Sequence, residues 1–234
     1  MQYYYSSEIK GKTHKLNDEE SNHCLKVLRH KKGDIIYITN GKGKLYEGKI
    51  IDDSSKICQV EIIDIQDKKE INFYYLHIGI APTKNIDRFE FFLEKCTEIG
   101  INEITPLICE NSERDKINNG RLNKILISAM KQSLKTTLPK LNKLTKFIDY
   151  VNNPSQFDKY IAHCQEGIKK PLKNLYKKSN DVIILIGPEG DFSKNEISEA
   201  LKNNFKPVTL SNNRLRTETA GIIACHTINF INSY

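Results

Sequence analysis

Three short runs near the start of the chain set the first pattern. IIYIT (35–39), LYEGKII (45–51) and KICQVEIIDI (56–65) are rich in β-branched residues and are joined by polar or glycine-bearing links such as NGKGK. Runs of this length, so joined, predict strands of a small antiparallel β module. Past QDKKE (66–70) the pattern changes. Strand 72–80 is followed by helix 87–99 ending at Gly100, strand 104–109, and a helix over 120–137 ending before Pro139. Short strands near 159–163 and 182–186, helix 194–203, strand 207–210 and helix 217–231 complete the series. Strands alternating with helices predict an α/β layer with a mostly parallel sheet. The expected organisation is therefore a β domain over 1–70 and an α/β domain over 71–234.

The helices are read from spacing. Phe89, Phe92, Leu93, Cys96 and Ile99 form one apolar stripe; Leu122, Ile125, Leu126, Ala129 and Ser133 form another. Lys124, Ser128, Lys131, Gln132 and Lys135 share the face opposite the second stripe. In the last helix Ala220, Ile223, Ala224, Thr227, Ile228 and Ile231 make a stripe, while Ile222, Cys225 and Phe230 fall off it. A monomer's surface helix needs one apolar side. A second side needs a cover, from this subunit or from a two-fold partner.

Charge adds a partner class. The net charge is +7, and the surplus lies between 71 and 180, with 18 basic and 11 acidic residues. Within it, 116–148 carries Lys116, Arg121, Lys124, Lys131, Lys135, Lys140, Lys143 and Lys146 and no acid. Solvated faces usually mix signs, because opposite charges at i,i+4 support a helix. A one-sign stretch favours a polyanion, nucleic acid first, over a merely solvated face. No apolar run reaches the roughly 20 residues that span a bilayer. The N-terminus lacks a signal-peptide pattern, and six scattered cysteines without a C-x-x-C pair fit reduced thiols rather than zinc or disulfides. A cytoplasmic protein is expected.

Candidate chemistry lies in two loops. IILIGPEGDFS (183–193) leaves a buried strand through a tight turn that holds carboxylates, and Ser193-x-x-Glu196 is a capping box that starts a helix. Ligands of open α/β sheets bind beyond the carboxyl ends of strands. Gly187 and Gly190 either let the backbone approach a ligand or serve the turn alone. LSNNRLRTETAGIIA (210–224) is placed in the same way, with Thr217 available to cap the last helix and Glu218 in its first turn. Arg214 and Arg216 are left as anion or substrate clamps. Neither loop is a dinucleotide or triphosphate fingerprint.

Taken together, these residues resemble the 16S rRNA uracil-N3 methyltransferase family (RsmE type), a branch of the SPOUT methyltransferases. Matching blocks run in order from about residue 20 to the last helix. They are HCLKVLR to GD (His23, Val27, Leu28, Arg29, Gly33, Asp34), KNIDRFEFFLEKCTEIGINEITP (with Lys84 and Arg88), and SER (112–114) followed by Arg121, Ala129, Gln132, Ser133 and Pro139. IGPEGDFS and RLRTETA complete the set. Three departures stand out: Asp191 where the family often has glycine, Ser211-Asn212-Asn213 before Arg214 where it often has Gly-x-Arg, and Lys135 where it often has arginine.

The resemblance implies a SPOUT-type mostly parallel sheet with a C-terminal trefoil knot, plus a small N-terminal PUA-like β-barrel. It implies S-adenosylmethionine as cofactor, 16S rRNA or the assembled small subunit as substrate, and a homodimer. His163, Ile186, Gly187, Glu189, Gly190, Leu210, Leu215, Arg216, Thr217 and Ala220 become the expected cofactor residues, His163 being open to a packing role instead. Arg216 is expected to stabilise charge on uracil, with Arg214 as its rival. Glu218 is a candidate base or a structural residue of the helix start. Arg29, Lys84, Arg88, Arg114, Arg121, Lys124, Lys131 and Lys135 are expected on RNA. N3 lies on the pairing edge and carries a proton, so the base must be unpaired and the proton removed. A non-catalytic RNA-binding protein and a methyltransferase of another base remain the alternatives.

Overall fold

A computed structural model of the chain describes residues 2–54, 56–68 and 73–233. The chain forms two compact units, Met1–Ile71 with Ile127–Leu138, and Asn72–Leu126 with Pro139–Tyr234. The expected division placed all of 71–234 in one domain, whereas the segment 127–138 packs with the first unit. Part of QDKKE, the expected boundary, lies outside the described residues.

The first unit is a five-stranded sheet. Its strands are β1 (Tyr3–Tyr5), β2 (Thr13–Lys15), β3 (Ile35–Thr39), β4 (Lys44–Asp52) and β5 (Gln59–Asp67). The hydrogen-bonded order is β1-β3-β4-β5-β2, antiparallel except for the β1–β3 pair. Alternate residues of β3 and β4 enter a core of Tyr4, Leu16, Ile36, Ile38, Ile50, Val60 and Ile62. Between β2 and β3 come the short helix α1 (Asp18–Asn22) and a π-helical turn over His23–Val27. Pattern reading missed β1, β2, α1 and the π turn, because each is too short to show a period. The segment 127–138 joins this unit through backbone bonds: Gly43 N donates to Thr136 O at 2.9 Å, and Leu138 N to Gly41 O at 2.9 Å.

The second unit begins with β6 (Leu76–Ile80), α2 (Ile86–Ile99), β7 (Glu103–Ile108) and the first part of α3 (Asn119–Gln132). It continues after 138 with β8 (Lys140–Leu141), β9 (Thr145–Lys146), α4 (Phe147–Val151), β10 (Asp158–Ala162), β11 (Lys170–Pro171) and α5 (Leu172–Leu175). Last come β12 (Val182–Ile186), α6 (Lys194–Lys202), β13 (Lys206–Thr209) and α7 (Thr217–Ser233). The sheet order is β11-β13-β10-β12-β6-β7-β8, with β9 also on β7, and every pairing is parallel. VIILI and LHIGI are buried throughout, as strands covered on both faces require.

Two helices differ from expectation. The helix expected over 120–137 ends at Gln132. Leu134 turns left-handed (φ 55°), its N–H donates to Lys131 O, and Lys135 N donates to Met130 O. That is a Schellman-type stop, and its αL residue is a leucine, so no glycine advertised it. In α7 the buried face is Thr217, Glu218, Gly221, Ala224, Cys225 and Ile228. Ala220, Ile223, Thr227 and Ile231 of the expected stripe are only half-buried, and Cys225 lies inside. Gly221 shifts the face: a Cβ there would lie 2.6 Å from the Phe92 ring, so α7 seats on α2 through its one bare position.

Candidate active site

Loops that follow the carboxyl ends of β10, β12 and β13 enclose a cavity of about 340 Å³. Its apolar wall is Ala162, Ile186, Val208, Leu210, Leu215 and Ala220; its polar wall includes His163, Glu189, Asp191, Arg214, Arg216 and Thr217. All the expected cofactor residues line it except Gly190. The residues that pattern reading missed, among them Cys164, Asp191, Ser211 and Asn213, sit beside expected ones in the same loops.

The carboxylates hold the loops together. Asp191 has φ 65°, a left-handed conformation that glycine or Asp tolerates best. Its Oδ2 accepts from Cys164 N at 2.8 Å and its Oδ1 from Phe192 N at 2.9 Å. Glu189 Oε1 accepts from Lys84 N at 2.9 Å. Glu196 completes the capping box with Ser193, and its Oε1 accepts from Glu110 N at 2.9 Å. Hydrogen bonds to a charged acceptor contribute about 1.5–3 kcal/mol each, so one stretch fastens three other loops. The departure at 191 follows: Asp supplies a backbone shape that glycine would also supply, and two acceptors that glycine would not.

The space beside Gly187 and Gly190 is filled by neighbouring side chains, and Gly187 also lines the cavity. A Cβ on Gly187 would meet Phe192 at 3.2 Å, and one on Gly190 would meet Asn111 Cβ at 3.0 Å. The Asn111 amide donates to the carbonyls of residues 190 and 191. Thr217 is the first helical residue, not the cap, and its hydroxyl donates to Gly187 O at 3.0 Å, fastening the third loop to the second.

Three polar side chains, His163, Arg214 and Arg216, stay available in the cavity. His163 Nδ1 is buried without a partner, and burial, then nearby Lys169, depresses this imidazole's pKa, which favours a neutral ring. Arg216 is exposed, and neither it nor Arg214 has an ion-pair partner among the described residues. Glu218 is buried in the first turn of α7, outside the cavity lining, and its Oε2 has no hydrogen-bond partner among the described residues. The donor set fits S-adenosylmethionine: an apolar slot suits adenine, and two carboxylates with two arginines match a ligand bearing both charge signs. Triphosphate would face Glu189 and Asp191 with no lysine in the lining.

Residues 69–229 match the family model of an RNA methyltransferase domain, and 16–72 that of an RNA methyltransferase PUA domain. The chain is 33% identical over 216 residues to Ribosomal RNA small subunit methyltransferase E of Buchnera aphidicola subsp. Acyrthosiphon pisum (strain APS), covering 89% of this chain and 84% of that one. This chain belongs to the small-subunit rRNA methyltransferase E family. Among solved family structures, a probable rRNA-methyltransferase from Porphyromonas gingivalis has a TM-score of 0.94 at 37% identity, covering 100% of this chain and 99% of that one. The methyltransferase E of Neisseria gonorrhoeae, solved bound to S-adenosyl methionine, has a TM-score of 0.87 at 26% identity, covering 99% and 98%.

Within the family frame, the expected RNA cations divide into two sets. Arg114 donates to the carbonyls of Thr83 and Lys84 at 3.1 and 2.7 Å, and so braces the loop that Glu189 also holds. Arg121 forms a two-point pair with Glu90. Lys131 lies 2.6 Å from buried Glu20, and Lys140 lies 2.8 Å from Glu103. Lys84 lies 3.6 Å from Glu113. The stretch 116–148 is acid-free in sequence but not in space, because acids at 20, 90 and 103 neutralise part of it. Arg29, left-handed at φ 58° just past the π turn, and Lys124 are exposed; Arg88 and Lys135 are half-buried.

Proposed function

We propose that this chain transfers the methyl group of S-adenosylmethionine to N3 of a specific uridine in the small subunit's 16S rRNA. The cavity at the strand ends carries this reading, in a chain whose family is that of rRNA methyltransferase E. When bound, the cofactor supplies an electrophilic methyl group on a cationic sulfur. The lining then has three tasks. The apolar residues hold the adenine, with His163 Nδ1 as the buried polar contact. The loop backbone from 187 to 191 and 210 to 217 wraps the rest. The Arg216 guanidinium faces the charge that grows on the uracil carbonyls as N3 loses its proton, an electrostatic role that a bidentate cation suits.

The deep trefoil knot belongs to this proposal. Support comes from the order of the sheet, in which β12 lies between β10 and β6 while β13 lies outside β10, and from α7 returning to pack on α2. A homodimer also belongs to it. Phe230 on α7 is 56% exposed, and with His226, Ile231, Leu172 and Leu210 it lines a second cavity of about 580 Å³ that shares Thr209, Leu210 and Ser211 with the first. RNA phosphate contacts are assigned first to the exposed cations Arg29, Lys84 and Lys124, while Arg114 braces the 83–84 loop and Lys131 holds Glu20. A cytoplasmic place of work belongs to this proposal because the rRNA substrate is there; no described helix is long and apolar enough to cross a membrane.

The test uses rRNA from a strain lacking the gene. Purified protein with methyl-labelled cofactor should place label in 3-methyluridine on nucleoside digestion, at one position. Label in another nucleoside, or none, rejects the assignment. Phe230→Glu should shift the mass in solution toward the monomer; an unaltered dimer mass would put the interface elsewhere.

A further inference from the structure

The first unit carries a cavity that the reaction does not use. It measures about 440 Å³ and is lined by Gln2, His23, Ser128, Lys131, Gln132 and Leu134. Its size falls within the range of small-molecule sites, roughly 300–1,000 Å³. Its charge is muted, because Lys131 Nζ lies 2.6 Å from the buried Glu20 carboxylate. A phosphate would find no unpaired cation in the lining, whereas a neutral heterocycle would find the Gln132 carboxamide, the Ser128 hydroxyl, an apolar leucine and the face of an imidazole ring whose Nε2 pairs with the Gln2 amide at 2.6 Å. The Ser128 and Gln132 side chains make no hydrogen bond among the described residues. A carboxamide offers a donor and an acceptor side by side, which is the pattern on the edge of a base.

The wall at His23 supports the same ligand. His23 opens the π-helical turn, a departure from α-helix that often marks functional sites. The segment that continues from it exposes Val27 (58%) and Leu28 (39%) and carries Lys26, Arg29, Lys31 and Lys32. Exposed apolar side chains beside a run of cations suit single-stranded RNA, whose bases stack while its backbone is held by charge.

We infer that this cavity receives one unstacked base of single-stranded RNA, apart from the methylated uridine, with Gln132 and Ser128 reading its edge and His23 contacting its ring. The inference rests on the reading of RNA as substrate. It makes the first unit a reader of sequence rather than only a holder of phosphate.

The probes are end-labelled hexamers of uridylate, cytidylate and adenylate and an abasic hexamer, titrated against the full chain by fluorescence anisotropy over a salt series. One homopolymer should bind preferentially, and the abasic hexamer weakly. The double variant Ser128→Ala, Gln132→Ala should lose roughly tenfold in affinity for the preferred hexamer, the scale of one lost two-point base contact. Its salt slope should stay at the parental value, because no phosphate contact is lost. Its cofactor affinity by calorimetry should be unchanged. His23→Ala should weaken the same hexamer, and the exposed pair at 128 and 132 keeps the test valid if that variant does not fold. Equal binding of all hexamers, an unaffected double variant, or a parent that binds none of them overturns the inference. A protein that still methylates rRNA while the double variant binds as the parent does rejects the base cavity alone; loss of cofactor binding and methyl transfer in the parent would reject the enzymatic reading instead.

Discussion

Arg216 shows how far a single residue could be read ahead of the structure. RLRTETA offered two arginines, and both line the cavity without an ion-pair partner among the described residues. What decides between them is the reaction, not the exposure. Arg216→Lys keeps the charge and loses the planar fork. The turnover number should fall by about 100-fold, the scale of one removed transition-state donor, while cofactor affinity by calorimetry stays within a few-fold. Arg214→Lys should affect turnover far less; equal losses would reverse the assignment. The glycines were legible as residues the turn demands, but not in their cause. Sequence alone does not show that Asn111 and Phe192 occupy the space a Cβ would take. Nor could spacing show that Glu90 and Glu20 neutralise Arg121 and Lys131, since those pairs close over chain separations of 31 and 111 residues.

At the scale of elements, the longer helices were legible by their period and the buried strands by continuous β-branched runs. VIILI and the stripe of α2 are examples. Pieces of two or three residues, such as β8, β9 and β11, exist only through neighbours in the sheet. The seat of α7 was misread because its buried face is set by an absent side chain. Gly221→Ala tests this. Helix propensity favours alanine by about 1 kcal/mol, but the new methyl must displace the fully buried Phe92 ring and Ile80. Overpacking of that kind costs about 1–3 kcal/mol, so a lower thermal midpoint is expected. An increase would mean that α7 has room to move away from α2.

For the whole molecule, the amino ends of β6 and β7 set the response to acid. Burial pushes the His77 pKa down to about 4. Burial also opposes ionisation of Glu103, but hydrogen bonds from Lys140, Asn142 and Tyr75 outweigh it and draw that pKa down to about 2. Both folded values lie below the unfolded ones, about 6.5 and 4.3, so both groups favour unfolding as protons are added. The His77 contribution is complete above about pH 6.5 and is lost as pH falls toward 4; that of Glu103 is complete above about 4.3 and is lost toward 2. Thermal midpoints across this range should fall in both windows, and His77→Gln should flatten only the upper one. A parental slope in that variant would place the proton uptake elsewhere.

The acceptors of the 189–196 stretch leave a signature in exchange with heavy water. The amides of Lys84, Glu110, Cys164 and Phe192 lie outside the helices and strands, yet each ends on a carboxylate of that stretch. They should exchange slowly, in the manner of sheet amides, although no ladder shields them. Asp191→Asn leaves one acceptor oxygen for two donors, so deuterium should enter faster at Cys164 or Phe192 while Glu110 keeps its parental rate. The four amides thus serve as built-in clocks for the opening of the cavity mouth, readable without substrate or cofactor.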